Sequence, residues 1–157
     1  MTQNAINTSK GCLQFLSATT ASVVTCTNGI TANNTIPQNT SGTQVLTLSI
    51  TPISASSKLL ITFSCPATNN ADASQLTVAL FQDSTLNALA AVSFRANVRD
   101  PYLRYVMTSG TTSSTTFKIN IGPGTSGQHI YVNADSSGNR LMGGVSLATL
   151  TIAEYLN

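Results

Sequence analysis

The densest group of chemically capable side chains is Arg95, Arg99, Asp100, Tyr102, Arg104 and Tyr105, which gathers three of the seven cations and two of the four tyrosines into one short stretch. Tyrosine offers a flat apolar face with a polar tip, and arginine a planar fork of donors, a combination suited to sugars or acidic groups. The same residue types are ordinary contact material, with Arg paired to Asp and aromatic rings packed on aliphatic stems. The segment is therefore expected to be a ligand surface or a subunit contact.

Other chemistry is thinly supported. A hydrolase of the Ser, His and acid type would need His129, the sole histidine, as its base, yet His129 opens a predicted strand just after a Gly-containing turn, and no Gly-x-Ser-x-Gly elbow precedes a helix. The carboxylates Asp72, Asp83, Asp100 and Asp135 stand beside turn signals, where Asp stabilises turns, and Glu154 is the exception. Asp135 with Ser136, Ser137, Gly138 and Asn139 is rich in oxygen but lacks the repeated acids and closing Glu of a calcium loop. Asn69, Asn70 and Asp72 are discounted in the same way. Cys12, Cys26 and Cys65 fit no zinc or redox spacing and are odd in number, so they read as buried reduced thiols in a chain assembled in a reducing cytoplasm. The Asn-x-Ser/Thr sequons at Asn7, Asn33 and Asn39 arise readily in so Thr-rich a chain. No catalytic residue, metal or cofactor is assigned, and no enzymatic activity is expected.

Strands must carry these side chains. Periodicity is two along nearly the whole sequence, with the β-branched enrichment that suits a pleated, half-buried surface. Residues 45–50, 58–65, 75–83, 90–95, 103–109, 115–122, 129–134 and 146–156 form eight predicted strands, separated by turn chemistry such as Pro52 with the serines at 54–57, or Gly122, Pro123 and Gly124. An all-β antiparallel sandwich follows, with an eight-stranded jelly-roll-like form expected. Alternation turns three sets inward: Leu46, Leu48 and Ile50; Leu59, Ile61 and Phe63; Phe117, Ile119 and Ile121. In the last strand Leu150, Ile152 and Leu156 face one way and Leu147, Thr149 and Thr151 the other, and a small polar face of that kind can line an interface. Residues 13–18 and 21–26 read as a hairpin or as two successive strands, and the Asn-, Thr- and Gly-rich stretch around Pro37 as a linker lying along a surface. The division expected is an extended N-terminal arm with short strands and linker over 1–43 and the sandwich over 44–157.

Composition limits the partners. Only 8% of the 157 residues are charged, and 24 Thr, 19 Ser, 14 Asn and 7 Gln supply most of the polarity. A chain of this length buries roughly 70% of its unfolded surface, enough for one core without disulfides or metal. The net charge of +2 comes from scattered cations with no stripe for phosphates, so nucleic acid is not an expected partner. The longest unbroken apolar run, Ala88 to Val92, is far short of the roughly 20 residues of a spanning helix, and membrane insertion is not expected. No charge stands between Lys10 and Lys58, although exposed sheet edges are normally protected by Lys, Pro or inward charges. Further copies of the chain are the economical cover, so a closed homo-oligomer is expected.

Several ordered strings also carry a resemblance: Ile36-Pro37-Gln38-Asn39-Thr40-Ser41-Gly42, Leu46 to Pro52, Ser57-Lys58-Leu59, Val78 to Thr85, Thr108 to Phe117, Gly143-Gly144-Val145 and Thr149 to Tyr155. Together they resemble a family of small β-rich modules in bacteriophage tail-fibre and other virion-surface proteins. The resemblance implies a trimeric, non-enzymatic jelly-roll-like module, displayed on the virion surface after assembly in the host cytoplasm. As capsid decoration, head fibre or tail-fibre module it would serve attachment or particle stabilisation. Its partners would be itself as a homotrimer, another virion protein of the capsid or tail, and a host-surface glycan. The alternative function is a secreted carbohydrate-binding β-sandwich module.

Overall fold

The computed structural model describes residues 11–70, 75–95, 100–125 and 127–156. Among them are the strands β1 (Cys12–Thr20), β2 (Val24–Cys26), β3 (Thr43–Ile50), β4 (Lys58–Ser64), β5 (Ala67–Asn69), β6 (Leu76–Gln82), β7 (Ala90–Phe94), β8 (Tyr102–Thr108), β9 (Thr115–Pro123), β10 (Ile130–Val132) and β11 (Ala148–Tyr155). Every pairing between them is antiparallel. The order β1-β11-β4-β8 makes one sheet, β3-β9-β6-β7 a second, and β2-β10-β5 a short third. The fold is thus an all-β antiparallel sandwich, as the period-two pattern predicts. No helix among the described residues is long and apolar enough to cross a membrane.

One core joins the sheets. Leu59, Ile61 and Phe63 of β4, with Leu150 and Ile152 of β11, face Phe117, Ile119 and Ile121 of β9 and Val78 and Leu80 of β6, all at most 1% exposed. Strict alternation in β4 sends every second residue inward, which is how a half-buried strand is specified. Cys26, Ala67, Ile130 and Val132 of the short sheet belong to the same cluster. The buried Cys26 and Cys65 are free thiols; burial pushes Cys26 up to about 12 against a lowering hydrogen bond with Thr43, and Cys65 higher still. Cys12, expected to be buried as well, is exposed at the first position of β1, where the strand is only beginning to pair.

Strands β6 and β9 lack the simple alternation of β4 because their second face is covered too. The stretch around residues 27–42 crosses them, and Ile30 packs on Ala79, Phe81 and Ala88. Ile30 N–H donates to Pro123 O at 3.0 Å, and Asn120 Nδ2 donates to Ser41 O at 2.8 Å. This close passage requires Gly122: a Cβ there would lie 2.5 Å from Asn28 O and 2.8 Å from Ile30 N. Where the stretch turns into β3, Gly42 takes φ +75°, which a side chain resists.

The first two strands are successive rather than a hairpin: β1 pairs with β11, and β2 with β10. The fully buried Asn133 fixes the passage between them, donating from Nδ2 to Thr20 O at 2.9 Å and Ser22 O at 3.0 Å. The short β5 falls between the predicted strands 58–65 and 75–83, and pairing with β10 makes it a strand.

Candidate functional site

The sheet β1-β11-β4-β8 turns one face to the core and the other outward, and register determines which side chains meet on the outward face. Phe15 of β1 stands opposite Ala153 of β11, Ala153 opposite Leu60 of β4, and Leu60 opposite Val106 of β8, so an apolar row crosses all four strands. Phe15 is 65% and Val106 53% exposed, large apolar groups left in water. The next row is Ser17, Thr151, Thr62 and Arg104, in which the hydroxyls of Thr62 and Thr151 hydrogen-bond at 2.5 Å. Beyond it lie Thr19, Thr149, Ser64 and Tyr102. On the other side of the apolar row Lys58 Nζ donates to Thr108 Oγ1 at 2.7 Å, beside Tyr155. Lys58 and Arg104 are therefore the charged groups on a broad, nearly neutral surface, among the described residues.

The Arg and Tyr constellation does not stay together on it. In β8 the exposed Tyr102 and Arg104 point outward while Leu103 is buried and Tyr105 packs against the core. Asp100, just before β8, and Arg95, just after β7, are exposed. No ion pair joins Arg95, Asp100 and Arg104 among the described residues. Arg99 lies outside the described residues, as does Asp72. Thr149 and Thr151, singled out as a small polar face, do lie on the outward side. The apolar row escapes a strand-by-strand reading because each strand contributes one member. The signal that could have found it is Phe15, a large aromatic on a strand whose alternate positions are Ser17 and Thr19.

The remaining polar groups are engaged in architecture. Glu154, the one charged side chain buried among the described residues, takes the inward position on β11 that follows Leu150 and Ile152, while Leu156 is exposed beyond the strand. Its carboxylate accepts from Gln14 Nε2 at 2.5 Å, from Ile53 N–H at 2.9 Å, from Ser54 N–H at 3.3 Å and from the Ser57 hydroxyl. Burial raises its pKa, but the hydrogen bonds from Gln14, Ser57, Ile53 and Ser54 outweigh that and hold it below the usual carboxylate range. Asp135 is likewise held low, chiefly by the backbone N–H of Asn139, with the Asn139 side chain and Ser137 N–H adding to it in a turn. Asp83 accepts from Thr116 N–H at 2.7 Å and Thr115 Oγ1 at 2.9 Å. His129 Nδ1 lies 3.3 Å from the Tyr131 hydroxyl. No group of three or more His, Cys, Asp or Glu side chains gathers among the described residues.

Fold and surface together define an antiparallel β-sandwich module with one broad, nearly uncharged sheet face. The family model of the Pgp3 C-terminal domain matches residues 15–157, and the chain belongs to that family. No curated protein matches the chain in sequence. Among solved structures, dimeric latent PorU from Porphyromonas gingivalis aligns over 99% of this chain and 14% of its own, at 11% identity and a TM-score of 0.42.

Family membership corrects the resemblance to bacteriophage virion-surface modules. The family is chlamydial and not a phage one, so the roles of capsid decoration, head fibre and tail fibre are withdrawn. The virion-surface location goes with them. The virion-protein and host-glycan partners have no support. The physical reason lies in the strings that carried the resemblance. Val78 and Leu80 are core, Asp83 and Asn39 tie turns, and residues of that kind specify a sandwich rather than its place of work.

Proposed function

We propose that the chain is a non-enzymatic interaction module that works as a homotrimer, with the outward face of β1-β11-β4-β8 packed against neighbouring copies. The apolar row Phe15, Ala153, Leu60 and Val106 carries this reading. A face with two charges, many hydroxyls and a central apolar row matches the composition of an interface core, where charged residues are depleted. Covering a Phe or Val side chain that is more than half exposed is worth on the order of 1–2 kcal/mol each, and closed symmetry repeats the gain in every copy. The trimeric state of the Pgp3 domain supports threefold closure.

Light scattering coupled to size exclusion tests it. The unaltered chain is expected at three times 16.3 kDa, and Val106→Asp at the monomer mass with its strand content intact. A Val106→Asp chain that keeps the trimer mass overturns the placement of the interface, and an unaltered chain that is monomeric at micromolar concentration overturns the trimer.

A further inference from the structure

Strand β7 ends its sheet: it pairs with β6 on one side and, among the described residues, with no strand on the other. Along that free side runs the segment 31–37. The two meet at one end, where Gln38 and Asn87 form an antiparallel bridge and Ala88 N–H donates to Pro37 O at 2.9 Å. Continued residue by residue, that register would set Ile36 opposite Leu89, Asn34 opposite Ala91 and Ala32 opposite Ser93. The segment turns on itself instead: Asn33 N–H bonds Thr31 O at 3.1 Å, and Thr35 N–H bonds Asn33 Oδ1 at 3.0 Å. Such local bonds compete with a ladder. The two chains splay into a fork, and between residues 31–37 and 88–93 lies an open groove of about 660 Å³.

Alternate residues of an antiparallel strand direct N–H and C=O to either side, so β7 keeps a row of backbone donors and acceptors toward its free edge. Ala90-Ala91-Val92-Ser93-Phe94 carries neither charge nor Pro, the usual protection of an edge. The lining includes no charged and no aromatic side chain, which disfavours ionic ligands and sugars. Residues 31–37 form the facing wall, so a chain in the groove would lie between them and β7.

We propose that this fork is a strand-addition site, which takes one extended, uncharged segment of a partner protein and pairs it with β7. Backbone hydrogen bonds would supply affinity. Small floor positions at Ala91, Ser93 and Thr77, with Ile36 and Leu89 beside them, would select apolar side chains at every second position.

The test is a displayed library of random peptides about 12 residues long, enough to span β7 at ~3.3 Å per residue. It is sorted against the full chain and counter-sorted against Ala91→Arg. Ala91 and Ser93 are exposed, so Ala91→Arg, and Ser93→Lys as a second variant, should keep the fold and melting temperature while filling the groove. Enriched peptides should be uncharged, with apolar residues at every second position, and should bind either variant about tenfold more weakly or worse. Methylating the backbone nitrogens of one alternate set in an enriched peptide should abolish binding, and methylating the other set should not. No enrichment, peptides without the period of two, or binding indifferent to both variants or to both methylations overturns the site. Enrichment of strings found in this chain itself overturns the assignment to a different partner and gives the groove to a second copy.

Discussion

Replacing Glu154 with Gln removes a charge from one end of the core with almost no change in side-chain size. The carboxylate is fully buried and receives Gln14 Nε2, Ile53 N–H, Ser54 N–H and the Ser57 hydroxyl, so it ties β1 and the 53–57 turn to the inner face of β11. In Glu154→Gln one accepting oxygen becomes an NH2 group that faces donors. Hydrogen bonds to a charged group are worth about 1.5–3 kcal/mol and a stranded buried donor costs ~1–3 kcal/mol, so a loss of about 2–4 kcal/mol is expected. For a chain of this size that is a fall in Tm of roughly 5–15 °C. The pH dependence has a definite sign. Glu154 has a native pKa below its unfolded value, so its stabilisation is complete above the unfolded value of about 4.3 and disappears as pH falls through the native one. The gap between wild type and Glu154→Gln, measured by thermal melts from neutral to acid pH, should therefore close on acidification. A variant melting within about 1 °C of wild type at pH 7, or a gap that ignores pH, would refute the reasoning.

Three further outcomes are expected. Gly122→Ala should destabilise the chain and loosen the 27–42 stretch, read as faster amide exchange at Ile30, because its Cβ would collide with the Asn28 carbonyl and the Ile30 nitrogen. Phe63→Ala or Phe117→Ala should cost roughly 3–5 kcal/mol in denaturant unfolding, since both rings are buried and leave a cavity. A reductant should leave the melting temperature unchanged, because Cys26 and Cys65 are free thiols inside the core, and a fall of several degrees would indicate a disulfide.

The strands were legible because period-two alternation is local: Leu59, Ile61 and Phe63 sit where their spacing puts them. Pairing was not, since β1 with β11 joins the two ends of the chain and nothing in either segment specifies the other. The constellation from Arg95 to Tyr105 looked like one cluster because sequence distance was short. Alternation within β8 already separates Tyr102 and Arg104 from Tyr105, and that part of the site could have been read. The apolar row needed four registers at once, and Glu154 needed the position of a distant turn. Neither is written in any single segment.

The 27–42 stretch lying over β6 and β9 has a consequence for how this sequence can drift over evolutionary time. A strand covered on one side can exchange its outward residues freely, so β4 and β8 can vary at alternate positions wherever assembly does not bind them. Strand β6 is buried from Leu76 to Phe81 on both faces, and β9 admits no Cβ at Gly122. Related chains should therefore diverge with a period of two in β4 and β8, while the run from Leu76 to Phe81 changes as a block or hardly at all. Such block changes should be matched by a compensating replacement at Ile30, the residue that closes the second face.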